Sequence, residues 1–211
     1  MPALIQVLDY GSGNLFSIKD ALGRVSPNIK VKISSKFRKG GVDGLVLPGV
    51  GSFSSAQRIL GENRDAILED ANVNRMPLLG VCLGMQLMFE KSEEGQGNGL
   101  ALFRGKVMKF RPEPNLKVPH MGWNTLNLTK SKSALCKGLS GEEWVYYVHS
   151  FYPSPQDESI VRAWTTYGSQ RFPAVIERNN VFGTQFHPEK SSKAGFKLIS
   201  NFARKVLDYS G

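Results

Sequence analysis

Only two cysteines, Cys82 and Cys136, occur in 211 residues. That is too few for a disulfide framework, so a reducing, cytoplasmic setting is the expectation. No run approaches the ~18 consecutive apolar residues of a membrane helix, and no membrane partner is expected. The opening MPALIQVLDYGSG lacks the charged start and long apolar core of a signal peptide and reads as a first strand. No internal repeat, low-complexity tract or linker interrupts the chain. With 41% hydrophobic and 21% charged residues, the expectation is one domain over residues 1–211 with a substantial core.

Acidic residues are in the minority, which leaves a net charge of +9. The basic residues are dispersed, in KFRKGG, KVMKFRP, KSKSALCKG and near the C-terminal segment. No basic helix, aromatic RNA-binding signature or zinc spacing accompanies them, so a solvated basic surface is expected and a nucleic acid partner is not. A basic surface facing an anionic substrate or an acidic partner is the other reading. No metal cluster is visible, and neither metal nor organic cofactor is expected.

The first half alternates strand and helix signals. ALIQVLDY, IKVKIS, VDGLVLPG and MPLLGV read as strands. LFSIKDALGRV, SSAQRILGENRDAILEDANV with a break near Gly61, and GMQLMFEKSEEG read as helices. Such alternation predicts parallel strands with helices on both faces. From about residue 105 the pattern turns to strands: GKVMKF, WNTLNLT, EWVYYVHSFYP, SIVRAWTTYG and FPAVIERNNVFGTQF, with NN as hairpin chemistry. A final helix is predicted in SSKAGFKLISNFARKVLDY, with Ser191 or Ser192 as its N-cap. The predicted fold class is α/β, a mostly parallel sheet flanked by helices with an antiparallel strand extension.

One turn within that pattern is chemically pointed. PLLGVCLGMQ places Cys82 between Gly80 and Gly84 at the end of an apolar strand. GVCLG has the shape of a nucleophile elbow, a strand, a sharp turn and a helix in quick succession. The following helix would direct its free N–H groups and positive end at Cys82, and the thiolate is the reactive form. The backbone N–H of Leu83 would face an oxyanion on an attacked carbonyl. On the turn alone, catalysis and core packing are equally good readings. Cys136, in SALCKGL, has no such setting and reads as a packing residue.

A thiol nucleophile needs a base. Of the three histidines, His187 lies in GTQFHPEKSS, where Pro188 biases it towards extended backbone. Residues i and i+2 of extended chain share a side, so His187 and Glu189 project together. A carboxylate there takes the imidazole N–H and completes a Cys–His–Glu relay.

These stretches together resemble the class I (triad-type) glutamine amidotransferases, a family with a flavodoxin-like fold. PGVGSF (48–53), GVCLGMQ (80–86) and TQFHPEKS (184–191) carry the general pattern. DYGSGNLFS (9–17), FEKSEEG (89–95), PHMGWN (119–124) and YYVHSFY (146–152) resemble, more narrowly, the glutaminase-subunit family of imidazole glycerol phosphate synthase.

The resemblance implies that Cys82 attacks the amide of L-glutamine, with His187 as base and then acid, oriented by Glu189. Gly49, Val50 and Gly51 would form an oxyanion strand, in which some members of the family must turn a peptide to present its N–H. Gln86, Ser150 and Phe151 would hold the glutamine amino and carboxylate groups. His149 would shape that pocket. Asn14, His120, Met121, Trp123 and Asn124 would border a partner, the cyclase subunit of imidazole glycerol phosphate synthase, in a heterodimer. That partner would be a (β/α)₈ barrel not fused to this chain. It would convert PRFAR, with the ammonia, to imidazole glycerol phosphate and AICAR.

Two rival readings remain. One keeps the glutaminase chemistry but supplies a synthase making pyridoxal phosphate or anthranilate, against which PHMGWN and DYGSGN argue. The other is a non-catalytic basic module for nucleotides or nucleic acid. It leaves Cys82, His187 and Glu189 unexplained. DYGSGN itself could be a phosphate-cradling turn, but it lacks the third glycine and later acidic residue of a dinucleotide fingerprint.

Overall fold

The computed structural model describes residues 1–11 and 14–211. Its elements run β1 (Ala3–Leu8), α1 (Leu15–Gly23), β2 (Ile29–Ser34), β3 (Gly44–Leu47), α2 (Phe53–Asn72), β4 (Leu78–Val81) and α3 (Leu83–Gln86). They continue with β5 (Lys91–Ser92), β6 (Gly105–Lys109), β7 (His120–Leu128), β8 (Glu142–His149), β9 (Phe151–Pro155), β10 (Val161–Tyr167), β11 (Gln170–Arg178), β12 (Val181–Thr184) and α4 (Ser192–Ser210).

A nine-stranded sheet has the order β2-β1-β3-β4-β12-β11-β10-β7-β8. The pairings from β2 through β12 are parallel, and those from β12 onward are antiparallel. The switch follows from connection length. At least one helix separates the two strands of each parallel pair, whereas Asn179 and Asn180 alone join β11 to β12. Asn179 takes a positive φ of 57°, which asparagine tolerates. A smaller sheet, β5-β6-β9, lies beside the large one.

Alternation along each strand divides the core between two faces. Ile5, Val7, Val46, Leu79 and Val81 pack with α1 and with Leu198, Phe202 and Val206 of α4. Leu8, Leu45, Leu47 and Leu78 pack with Phe53, Leu60 and Ile67 of α2.

Three details differ from the sequence expectation. Helix α2 runs through Gly61 without a break. A Cβ there would meet only open space, so the glycine costs about 1 kcal/mol. Burial of Phe53, Leu60 and Ile67, at about 1.5–3 kcal/mol each, outweighs it.

Helix α3 is a single turn and does not extend to Glu94. Residues Leu83–Phe89 are buried on every side, leaving no polar face for a longer surface helix. The carbonyls of Leu87, Met88 and Phe89 accept instead from the N–H groups of Leu100, Phe103 and Ala101. EWVYYVHSFYP is also not one strand: it divides at Ser150 into β8 and β9, which enter different sheets.

Candidate active site

The parallel strands deliver the site residues at their carboxyl ends, where open α/β sheets bind ligands. Gly49 follows β3, Cys82 follows β4 and His187 follows β12. Cys82 takes φ 48° and ψ −105°, a left-handed strain that a non-glycine residue adopts only when its surroundings enforce it. Its N–H donates to the Thr184 carbonyl at 2.7 Å, and its carbonyl accepts from the Gln86 N–H at 3.1 Å. Both flanking glycines are sterically required. A Cβ on Gly84 would lie 2.0 Å from the Leu47 carbonyl oxygen, and one on Gly80 would lie 2.6 Å from the Gly84 backbone. The elbow expected from GVCLG is present. Its helix is one turn long, so the positive dipole end anticipated at Cys82 is correspondingly small.

His187 is fully buried. Its N–H donates to the Tyr146 carbonyl at 3.0 Å. Ser191 lies where the α4 N-cap was expected, but its hydroxyl does not cap the helix. That hydroxyl donates to the His187 carbonyl at 2.7 Å and accepts from the Tyr146 N–H at 2.9 Å, pinning the histidine loop to β8. Nδ1 of His187 donates to Oε1 of Glu189 at 2.8 Å. This leaves Nε2 buried and without a hydrogen bond among the described residues. Burial pushes the imidazole pKa down, but Cys82 and then Glu189 more than offset it and raise the value to about 10. The expected Cys82, His187 and Glu189 grouping therefore comes together in space. Gly49 completes its wall, since a Cβ there would lie 2.8 Å from Cε1 of His187.

A cavity of about 310 Å³ opens onto Cys82 and is lined by Gly49, Val50, Gly51, Leu83, Gln86, His149, Ser150 and Phe151. All the residues expected for the oxyanion hole and for glutamine binding thus share one cavity. The Leu83 N–H points at the Gly49 carbonyl, 3.4 Å away. Glu94 also lines the cavity and accepts from the Phe53 N–H at 2.6 Å. Its role was hidden in the sequence by the helix predicted for GMQLMFEKSEEG. Only because the chain leaves α3 after one turn does Glu94 return to the pocket.

The residues expected at a partner interface differ in exposure. Met121 and Trp123 are exposed, and Asn14 and Asn124 are half-buried. His120 is buried, stacked between Tyr147 and Tyr167 with ring centroids 4.8 and 4.0 Å away. Asn14 turns its side chain inward: Nδ2 donates to Oε1 of Glu189 at 2.6 Å. Ser12 and Gly13, within DYGSGN, lie outside the described residues.

His120 and His149 form a chain whose proton positions are fixed by its end. Nδ1 of His149 is 2.8 Å from the Phe151 carbonyl, so it must be the donor. Its Nε2 then accepts from Nδ1 of His120 at 3.0 Å. Nε2 of His120 accepts in turn from Asn124 Nδ2 at 3.2 Å. Both rings are neutral in this arrangement. Burial holds His149 down at about 3 and His120 at about 4. Cys136 is buried too, and burial pushes its thiol up to about 11, which suits an inert packing residue.

Among the described residues, no group of three or more His, Cys, Asp or Glu side chains is arranged to hold a metal ion. No helix there is long and apolar enough to cross a membrane.

The profile of class-I glutamine amidotransferases matches residues 6–206. The imidazole glycerol phosphate synthase subunit HisH of Nostoc punctiforme is 43% identical over 97% of this chain and 97% of its own. That of Thermosynechococcus vestitus is 45% identical over 97% and 98%. Among solved structures, PurLQS from Thermotoga maritima superposes with a TM-score of 0.75 at 17% identity, covering both chains fully. A glutamine amidotransferase superposes at 0.68 with 19% identity, covering 98% of each chain. Both likenesses concern the fold. The chain belongs to the class-I glutamine amidotransferase family, among the HisH subunits of imidazole glycerol phosphate synthase.

Proposed function

We propose that this chain is the glutaminase subunit of imidazole glycerol phosphate synthase, hydrolysing L-glutamine and passing ammonia to a cyclase subunit in the cytoplasm. The observation that carries the reading is that Cys82 and Gln86 line one cavity, with the His187–Glu189 pair hydrogen-bonded together directly behind Gly49 of its wall.

In this reading the Cys82 thiol gives its proton to Nε2 of His187, and the thiolate attacks the glutamine side-chain carbonyl carbon. Collapse of the tetrahedral intermediate breaks the C–N bond, and His187 protonates the departing ammonia. Water, deprotonated by His187, then cleaves the γ-glutamyl thioester. Glu189 holds the imidazole tautomer and stabilises the imidazolium.

Substrate binding follows from charge. Glu94 is the carboxylate among the described lining residues, and it complements the α-ammonium of glutamine. Gln86 gives both N–H directions to protein carbonyls, of Phe151 and Gln185. Its own carbonyl oxygen is therefore suited to the same ammonium. The Ser150–Phe151 backbone is suited to the α-carboxylate.

The oxyanion hole is closed at rest in this reading, because the Gly49 carbonyl occupies the Leu83 N–H. Gly49 C=O and Val50 N–H share one peptide plane, so turning that plane replaces the carbonyl with a second donor. Gly49 has no Cβ to oppose the change. We place the cyclase against the face of β7 that exposes Met121 and Trp123, where it could drive this turn.

The test is nitrogen source. In complex with the cyclase, the wild-type chain makes imidazole glycerol phosphate from glutamine, and Cys82→Ala does so only with added ammonium. Glutamine-dependent product from Cys82→Ala would refute the assignment. The rival with pyridoxal phosphate or anthranilate synthase is answered by which cyclase or synthase co-purifies.

A further inference from the structure

We propose that Gln185 is a further catalytic residue, whose buried amide donates an N–H to the Cys82 sulfur and holds it as the thiolate. The inference rests on the reading of Cys82 as nucleophile.

Gln185 follows β12, two residues before His187, and is fully buried. Its own N–H is fixed to the Ala174 carbonyl at 2.9 Å, so the side chain springs from rigid backbone. The hydrogen-bond network decides which way its amide points. The Phe151 carbonyl can only accept, so the Gln86 atom 2.9 Å from it is Nε2. The same Nε2 lies 3.2 Å from Gln185, whose facing atom must therefore be Oε1. That leaves Nε2 of Gln185 towards Sγ of Cys82, at 3.5 Å.

A buried amide is costly unless its hydrogen bonds are made. An apolar side chain would fill this place at lower cost if packing were its whole purpose. A neutral thiol is a weak acceptor and a thiolate a strong one. The Gln185 N–H that faces Sγ thus has a strong acceptor only while the sulfur is charged. Sulfur carries that charge twice in the cycle. It does so before attack, when the thiol proton has passed to His187. It does so again when water has added to the thioester, the C–S bond breaks and the electron pair returns to Sγ. The Gln185 N–H faces the sulfur at both moments. The Val148 carbonyl, 3.8 Å from Sγ on another side, accepts from the neutral thiol and offers the thiolate nothing.

The experiment uses the full chain in complex with the cyclase, as wild type, Gln185→Met and Gln185→Glu. Methionine keeps length without a donor, and glutamate keeps shape while replacing the donor with a negative oxygen. Two quantities are read: the rate of Cys82 alkylation by iodoacetamide at pH 7, resolved from Cys136 by peptide mass spectrometry, and kcat and KM for glutamine.

Loss of one hydrogen bond to a charged sulfur predicts about tenfold slower alkylation and a kcat lowered by a similar factor in Gln185→Met, whose KM also rises because Gln86 loses its acceptor; Gln185→Glu keeps that oxygen and a KM within about threefold. Gln185→Glu is slower still. If Gln185→Met fails to fold, Gln185→Glu decides alone. Wild-type alkylation rates in the folded variants overturn the proposal, whatever happens to kcat. The two readings fail separately. Slowed alkylation with no glutamate release by the wild type would retain the Gln185 contact and remove the glutaminase assignment.

Discussion

Asn14 and His187 grip the same oxygen of Glu189, at 2.6 and 2.8 Å, although Asn14 stands 175 positions away in sequence. The carboxylate is thereby held from its own loop and from the start of α1. Its other oxygen, Oε2, is buried with no partner among the described residues, where Asn14 is the contact that opposes its rotation away from the histidine. Asn14 sits in left-handed backbone at φ 66°, which aspartate tolerates as well as asparagine. Asn14→Asp therefore tests the side chain without straining the turn. It should lower kcat at least tenfold, the order expected for losing a hydrogen bond to a charged group, with KM nearly unchanged. An unaltered kcat would mean that Glu189 needs no second partner.

The histidines move stability in opposite directions with pH. His149 titrates at about 3 when folded, well below the ordinary histidine value of about 6.5. Between those values the unfolded chain binds a proton that the folded chain does not, so stability falls as pH drops through this window. The slope from this fully buried ring is at most about 1.4 kcal/mol per pH unit. His120 acts with the same sign between about 6.5 and about 4. Urea unfolding at pH 7 and pH 5 should show acid loss beginning above the carboxylate range. The difference should shrink in His149→Gln, and an equal difference in both proteins would place the proton elsewhere.

His187 works the other way. Its folded value of about 10 lies above the unfolded one. Its contribution is complete below pH ~6.5 and disappears as pH rises towards 10. Cys82→Ala removes the group that contributes most to raising it. NMR titration of the His187 ring should then show a lower midpoint than in the wild type; an unchanged midpoint would separate the thiol from the imidazole.

Glycine substitutions distinguish the elbow from the oxyanion strand. Gly84→Ala drives a methyl into the Leu47 carbonyl and should cost several kcal/mol of stability, seen as a large drop in denaturation midpoint. Gly49→Ala places its methyl against the His187 ring and stiffens the peptide that must turn. It should fold yet lose most glutaminase activity. Comparable activity in Gly49→Ala and wild type would argue against the turning peptide.

Glu94→Gln tests the ammonium site. It keeps the size and the hydrogen bond to Phe53 but removes the charge, so KM for glutamine should rise about tenfold with a smaller change in kcat. A changed kcat at constant KM would give Glu94 a different task.

The residues that define the chemistry were legible because they occupy short, conformationally demanding stretches. GVCLG requires glycines where backbones nearly touch, and His-Pro-Glu sets its own extended geometry. The parallel half of the sheet was equally legible, since uninterrupted apolar strands alternate with helices.

What escaped was decided at a distance. The run GMQLMF carries helical spacing, yet carbonyls of Leu87–Phe89 are claimed by a segment about a dozen residues later. The inward turn of Asn14 and the contact of Gln185 with Cys82 join positions 175 and 103 residues apart. Neither has a local periodicity. His120 sits in an exposed-looking stretch, and only the packing of β7 against β8 and β10 buries it.

The most direct measurement is glutamate released from L-glutamine by this chain, alone and with the cyclase and its nucleotide ligand, in wild type and Cys82→Ala. The account predicts feeble release alone, a strong rise in the liganded complex, and none above background from Cys82→Ala under any condition. Release that survives Cys82→Ala unchanged would contradict it.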